Sequence, residues 1–130
     1  PSELFLGWRE IERLAGMGVE VASHSVTHDN FSRMTPDRIA CELGDSRRVL
    51  NARLGIDTRS FAIPNGRRRD WPAAAVSAAA AAGYDTIYAA CEDRRAPGTV
   101  GRTMITSWDG DRLFGAALAG AYDAWEEWIP

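Results

Sequence analysis

The residues best equipped for chemistry in this chain are His24 and His28, its only two histidines, set four apart in the run His24-Ser25-Val26-Thr27-His28. Neutral imidazole is a good ligand for zinc and its neighbours. Two rings at i and i+4 can face one point where the backbone turns as a helical turn does. The bland alternative is a pair of loop histidines in solvent, so their surroundings must decide. Just before them, Val19-Glu20-Val21-Ala22-Ser23 alternates apolar with polar or small residues, the period of a half-buried strand. A second group, Pro64-Asn65-Gly66, sharply ends another short apolar run, Ser60-Phe61-Ala62-Ile63, which reads as a buried strand.

The elements that must position these groups follow from periodicity. Leu6 to Met17 reads as a helix, with Trp8, Ile11, Leu14 and Ala15 on one face and Arg9, Glu10, Glu12 and Arg13 on the other. Thr35-Pro36-Asp37 has the composition of a helix start, with Thr35 as N-cap and Pro36 at the first helical position. Ile39, Leu43, Ser46, Leu50 and Leu54 then step by three and four, and Gly55 suits the position just past the end. Asp70 is read as the cap of an alanine-rich helix from about Trp71 to Ala82. Thr86 to Ala89 reads as a third strand, residues 91–101 as a loop, and Thr103-Met104-Ile105 as a fourth strand. Asp109 is read as the start of a last helix that buries Leu113, Phe114, Ala117, Leu118 and Tyr122, a face continued by Trp125 and Trp128. Alternating helices and strands imply an α/β fold with parallel strands and crossover helices. In such folds chemistry collects at the C-terminal ends of strands. The histidine run and the Pro64-Asn65-Gly66 turn both leave such ends, so one shared site is expected.

Composition narrows the functional classes. The 130 residues are expected to form one domain, and 45% hydrophobic content suffices for one modest core. The net charge is −3 and the pI near 5.4, which argues against a nucleic-acid partner. Arg67-Arg68-Arg69 is accordingly read as a solvated loop or a contact for an acidic sugar polymer. All fifteen basic residues are arginine, a compositional bias without functional content. Cys41 and Cys91 show no metal-site spacing, and two buried free thiols are expected. No apolar run is long enough for a membrane span. The N-terminus has no signal-peptide pattern and no initiating methionine, so the chain is expected to come from something longer or to have been trimmed. A zinc peptidase is disfavoured, because its H-E-x-x-H needs glutamate where Ser25 stands.

These motifs resemble those of the polysaccharide deacetylases, the NodB-homology group also called carbohydrate esterase family 4. His24-Ser25-Val26-Thr27-His28 is similar to the family's H-[ST]-x-x-H metal motif. Phe61-Ala62-Ile63-Pro64-Asn65-Gly66 is similar to the F-A-[YP]-P-[YN]-G form of its next motif. The resemblance implies a distorted (β/α) barrel, here a partial one. It implies hydrolysis of N-acetyl groups in a polysaccharide or peptidoglycan-like polymer, and a cell-envelope or extracytoplasmic setting. It implies that His24 and His28 hold a divalent metal, usually Zn2+, and that Ser25 orients their loop. It further implies that Pro64, Asn65 and Gly66 line the sugar groove and that the Asn65 backbone N–H stabilises the oxyanion. Trp108, placed after the expected fourth strand, is the tryptophan best suited to stack on a sugar.

The same resemblance shows what is missing. The family's T-F-D-D-G segment, with the third ligand and the general base, has no match. The family's arginine before the proline turn falls on Ala62, and its terminal histidine, usually the general acid, is absent. Arg102 is expected near that region but cannot give up a proton. Asp29, Asp70, Asp109 and Asp111 could in principle complete the ligand set, and surface or capping roles explain each of them more simply. Little activity is therefore expected of the chain by itself. The barrel edge is expected to be covered by a missing N-terminal half or by a second copy. A non-catalytic carbohydrate-binding or interaction module derived from the same fold is the alternative.

Overall fold

The computed structural model describes residues 5–90 and 98–121. Helix α1, Trp8–Gly16, is followed by the histidine loop and a short 3-10 turn at Phe31–Arg33. Helix α2 is Pro36–Leu54, strand β1 Ser60–Ala62, helix α3 Ala74–Ala81 and strand β2 Thr86–Ala90. Strand β3, Val100–Arg102, and helix α4, Asp111–Leu118, complete the described elements. The strands form a three-stranded sheet in the order β1-β2-β3. Both pairings are parallel, with Phe61 opposite Ile87 and Ala89 opposite Gly101. This is the α/β architecture of a partial (β/α) barrel.

Local chemistry explains the helix boundaries. Thr35 caps α2 with its side-chain oxygen, Pro36 occupies the first turn, and Gly55 ends it in the left-handed region at φ 66°. The core lies between the sheet and helices α2 and α3. Phe61 of β1 is its centre, with ring centroids 6.0 Å from Phe31 and 5.2 Å from Tyr84. Each is almost fully buried, so each contributes on the order of 1.5–3 kcal/mol relative to exposure. Small residues at Ala75 and Ala79 bring α3 close to its neighbours. Three buried hydroxyls tie the layers together. Ser23 Oγ donates to Ser46 Oγ at 2.8 Å, and both Ser46 Oγ and Tyr84 OH donate to Leu43 O at 3.0 Å.

Several expectations are corrected. The strand over residues 19–23 shrinks to one parallel bridge between Ser23 and Phe61, because a strand needs a partner and β1 is only three residues long. The last strand is not Thr103–Ile105 but Val100–Arg102, overlapping the end of the expected loop; pairing with Tyr88–Ala90 sets its place. Helix α3 starts at Ala74 rather than Trp71, since Arg68–Asp70 forms a 3-10 turn and Trp71 is extended and buried. Asp70 does not cap it but accepts from Asn30 Nδ2 at 3.0 Å. Helix α4 starts at Asp111, because Asp109 instead closes a turn by accepting from Thr106 N at 2.6 Å. Leu113, Phe114 and Leu118 are exposed rather than buried, and Cys41 is an exposed free thiol. Cys91, Tyr122, Trp125 and Trp128 lie outside the described residues. Among those described, no helix is long and apolar enough to cross a membrane.

Candidate functional site

His24 follows the bridge residue Ser23, so it lies beside Ala62 at the C-terminal end of β1. The pairing is direct: Ser23 N donates to Ser60 O at 2.9 Å, and Ala62 N donates to Ser23 O at 2.8 Å. One residue further, the His24 ring Nδ1 lies 2.6 Å from Ala62 O. A carbonyl oxygen can only accept, so Nδ1 carries the hydrogen and Nε2 keeps its lone pair. The His28 ring stands edge-on to that of His24, with centroids 4.8 Å apart and planes at 75°. His24 is exposed overall, but partial desolvation of its ring holds its pKa below the ordinary value; the hydrogen bond to Ala62 O opposes this, and the charges of His28 and Arg102 reinforce it. The ring is thus biased to the neutral form, the one that can ligate a metal.

The loop between the rings is strained and then secured. Among the described residues, the non-glycine residues with positive φ are Ser25 at 69°, His28 at 60° and Asn65 at 59°. All three belong to the two motifs singled out in the sequence. Such conformations persist where the surroundings over-determine them, and they gather at functional sites. Ser25 Oγ accepts from the His28 N–H at 3.0 Å, which closes the turn. Val26 N and Thr27 N both donate to Glu42 Oε2, at 2.8 and 2.9 Å, and Thr27 Oγ1 donates to Oε1 at 3.0 Å. Arg38 meets the same carboxylate at 2.8 Å. Burial raises the Glu42 pKa, but the hydrogen bonds from Thr27 and Val26 and the Arg38 charge outweigh it and hold the carboxyl below its usual range.

The second motif forms the neighbouring turn. Ile63 N donates to Tyr88 O at 2.9 Å, and the Pro64 ring is fully buried, so proline shapes the turn from beneath. Asn65 is exposed, and among the described residues its N–H donates to no protein acceptor. Gly66 is buried at φ 80°, and a Cβ there would lie 2.8 Å from Ala90 N. Its carbonyl accepts from Ala90 N at 2.9 Å and from Trp71 Nε1 at 3.3 Å. Arg102, at the end of β3, donates from a terminal guanidinium nitrogen to Ile63 O at 2.9 Å. The two motifs therefore meet, through Ala62 and Ile63, at the C-terminal end of β1 and the parallel bridge beside it. Trp108 stands apart in the turn before α4 and is 92% exposed.

The pair fits part of a zinc set: two imidazoles stand edge-on with centroids 4.8 Å apart, and the tautomer of His24 is fixed by a backbone acceptor in the manner usual for metal-ligating histidines. Among the described residues no cluster of three or more His, Cys, Asp or Glu could hold a metal ion. Asp29 Oδ2 lies 3.1 Å from Thr27 Oγ1 and shares its one hydrogen with Glu42, while Asp70 accepts from Asn30 and Asp109 from Thr106. Asp111 lies in the first turn of α4.

A family model described as polysaccharide deacetylase matches residues 4–87, well over half of the chain. The chain belongs to the polysaccharide deacetylase family. No curated protein matches it significantly. Solved deacetylases share its fold. The Streptococcus pyogenes deacetylase PplD, in complex with acetate, is 19% identical with a TM-score of 0.74, over 87% of this chain and 50% of that one. A de-N-acetylase from Aggregatibacter actinomycetemcomitans is 18% identical with a TM-score of 0.71, over 88% and 54%. IcaB from Ammonifex degensii is 20% identical with a TM-score of 0.64, over 81% and 50%. This polysaccharide deacetylase chain thus spans about half the length of the structures it resembles.

Sequence reasoning missed two contributors. The Ala62 carbonyl carries no side-chain signal at all. Glu42 does carry one: it stands between Ile39 and Ser46 on the buried face of α2, where a lone carboxylate needs partners. Arg102, expected near the place of the family's terminal histidine, is delivered by β3 to the carbonyl of Ile63, beside the proline turn.

Proposed function

We propose that this chain carries part of the active site of a metal-dependent carbohydrate N-deacetylase, acting on an N-acetylated polysaccharide or peptidoglycan-like polymer, with little activity from the 130 residues alone. His24 and His28 would hold the divalent cation, Zn2+ first among them, which when bound polarises an acetamide carbonyl and makes water a better nucleophile. The chain's own residues do the rest of the work assigned to them. Ala62 O fixes the His24 ring, and Ser25 holds the His28 backbone. As the amide is attacked, negative charge gathers on the carbonyl oxygen, and a fixed N–H beside it lowers the barrier. Asn65 supplies such a donor, on a turn that Pro64 and Gly66 keep in shape. Trp108 offers an open ring face to a sugar. The edge beside Ser23 is closed in the working protein by the remainder of the barrel or by a second copy, which the mass in solution distinguishes.

The observation that carries this reading is the close, edge-on approach of the two imidazoles, centroids 4.8 Å apart, with the His24 Nδ1 hydrogen committed to Ala62 O. Zinc titration of the chain tests it. Wild type is expected to bind one zinc ion, and His24→Ala and His28→Ala each to lose that binding. Equal binding by all three, or by none, would overturn the reading. Rapid acetate release from N-acetylglucosamine oligomers by this chain alone would overturn the expectation of low activity. A second reading, a carbohydrate-binding module that kept the metal loop, rests on the two-ligand count among the described residues. A carboxylate ligand in the remainder of the barrel supports the enzyme; sugar binding that ignores zinc supports the module.

A further inference from the structure

Glu42 is a carboxylate in an apolar place. It is 3% exposed, on the face of α2 that also buries Ile39 and Leu43. Burying a charge there costs free energy unless donors meet it. Those donors come mainly from the histidine loop: the N–H groups of Val26 and Thr27 and the Thr27 hydroxyl, all within 3.0 Å. Only Arg38 belongs to the helix itself. Val26 and Thr27 are the two residues enclosed by Ser25 and His28, and both of those flanking residues have positive φ. Two strained positions with two N–H groups pinned between them constrain the loop closely. Ser25 Oγ and Ala62 O hold its two ends, and Glu42 holds both N–H groups of its middle, with Asp29 Oδ2 reaching only the Thr27 hydroxyl, at 3.1 Å.

We propose that Glu42 is a positioning residue: through the Val26 and Thr27 N–H groups its carboxylate sets the separation and facing of the His24 and His28 rings before any cation arrives. Its consequence for zinc rests on the deacetylase reading above; its consequence for the empty loop does not.

The test compares wild type with Glu42→Ala and Glu42→Gln on the whole chain. Asn51→Ala is the control for general damage to α2, since it removes the acceptor of the Thr58 N–H at the helix's far end. Without metal, amide exchange of Val26 and Thr27 and the ring-to-ring nuclear Overhauser effect between His24 and His28 are read by NMR. With zinc alone, affinity is read by competition with a chelator. Glu42→Ala is expected to speed exchange at both amides about tenfold or more, as loss of a charge-assisted hydrogen bond does, and to weaken the ring-to-ring signal. Its zinc affinity falls about 10–100-fold, the usual effect of removing a group that orients ligands. Glu42→Gln still offers one oxygen to both N–H groups and falls between. Asn51→Ala lowers stability and leaves both loop readouts at wild type. Wild-type exchange and ring contact in Glu42→Ala, or the same changes in Asn51→Ala, would overturn the proposal. Should Glu42→Ala not fold, wild-type exchange in Glu42→Gln overturns it just as well. Absence of zinc binding by wild type would count against the metal reading, while the metal-free measurements still judge Glu42.

Discussion

Two glycine-to-alanine substitutions in this chain are expected to move stability in opposite directions. At Gly66 the backbone has φ 80°, where a side chain is strained whatever the space; for an L-residue that costs roughly 1–2 kcal/mol. The new Cβ would also stand 2.8 Å from Ala90 N and 2.8 Å from an Arg102 guanidinium nitrogen. The guanidinium can swing aside only by leaving Ile63 O, which it meets at 2.9 Å. Ala90 N is main chain, fixed by its own 2.9 Å bond to Gly66 O and by the β2–β3 ladder. Overpacking of this kind adds about 1–3 kcal/mol, so Gly66→Ala should cost roughly 2–5 kcal/mol in all. Gly44 sits inside α2 with nothing within 4 Å of a built Cβ and no positive φ. There alanine should gain about 0.5–1 kcal/mol. Urea unfolding of both variants beside wild type measures the pair. A Gly66→Ala chain as stable as wild type would refute the close approach of the turn to β2, and a Gly44→Ala chain that loses stability would refute the α2 assignment.

The remaining expectations are simpler. The unfolded His24 pKa is about 6.5 and the folded one is lower, so the unfolded state binds the extra proton first and metal-free stability falls as pH drops through that range; urea midpoints from pH 8 to 5 check it, and His24→Ala should flatten the slope. Arg102→Met removes a donor to Ile63 O and should cost about 1–3 kcal/mol, read by thermal unfolding. Ser46→Ala deprives the buried Ser23 Oγ of its acceptor and should also cost about 1–3 kcal/mol, measured as a loss of urea midpoint.

What could be read from the sequence was what local chemistry decides. Thr35, Pro36 and Gly55 mark the two ends of α2 by capping rules alone, and the structure places them there. Ser60–Ala62 and Thr86–Ala90 declare themselves as short apolar runs between breakers. The errors fall where pairing decides. Met104 and Ile105 look more strand-like than Val100-Gly101-Arg102, yet the parallel register with Tyr88–Ala90 selects the latter. Val19–Ser23 has a strand's alternation but makes a single bridge, since period 2 says nothing about how many neighbours exist. Helix α4 has the apolar residues of a buried face, yet none of its residues is buried among the described elements. The candidate site divides in the same way. His24, Ser25, His28 and the Pro64–Gly66 turn are legible as residue types at a spacing. The groups that hold them are not, because one is a backbone carbonyl and another, Glu42, is a charged residue whose helical position argues against its chemistry.

Register links the core to the site. Ser23 is bridged to Phe61, which is paired with Ile87, so one row of the sheet runs Ser23, Phe61, Ile87. Successive side chains alternate faces. Ser23 bonds Ser46 of α2, and Phe61 packs on Phe31 and Tyr84, so this row faces the helices. The next row, His24 beside Ala62 and Tyr88, must then face the other way. That opposite face is where the His24 ring finds Ala62 O and where the second ring can join it. A slip of one residue would turn Ser23 outward, strand its hydroxyl, and send His24 into the helix layer. The buried hydroxyls of Ser23, Ser46 and Tyr84 therefore do more than satisfy one another. They make the wrong register expensive, and so decide from which face of the sheet His24 departs.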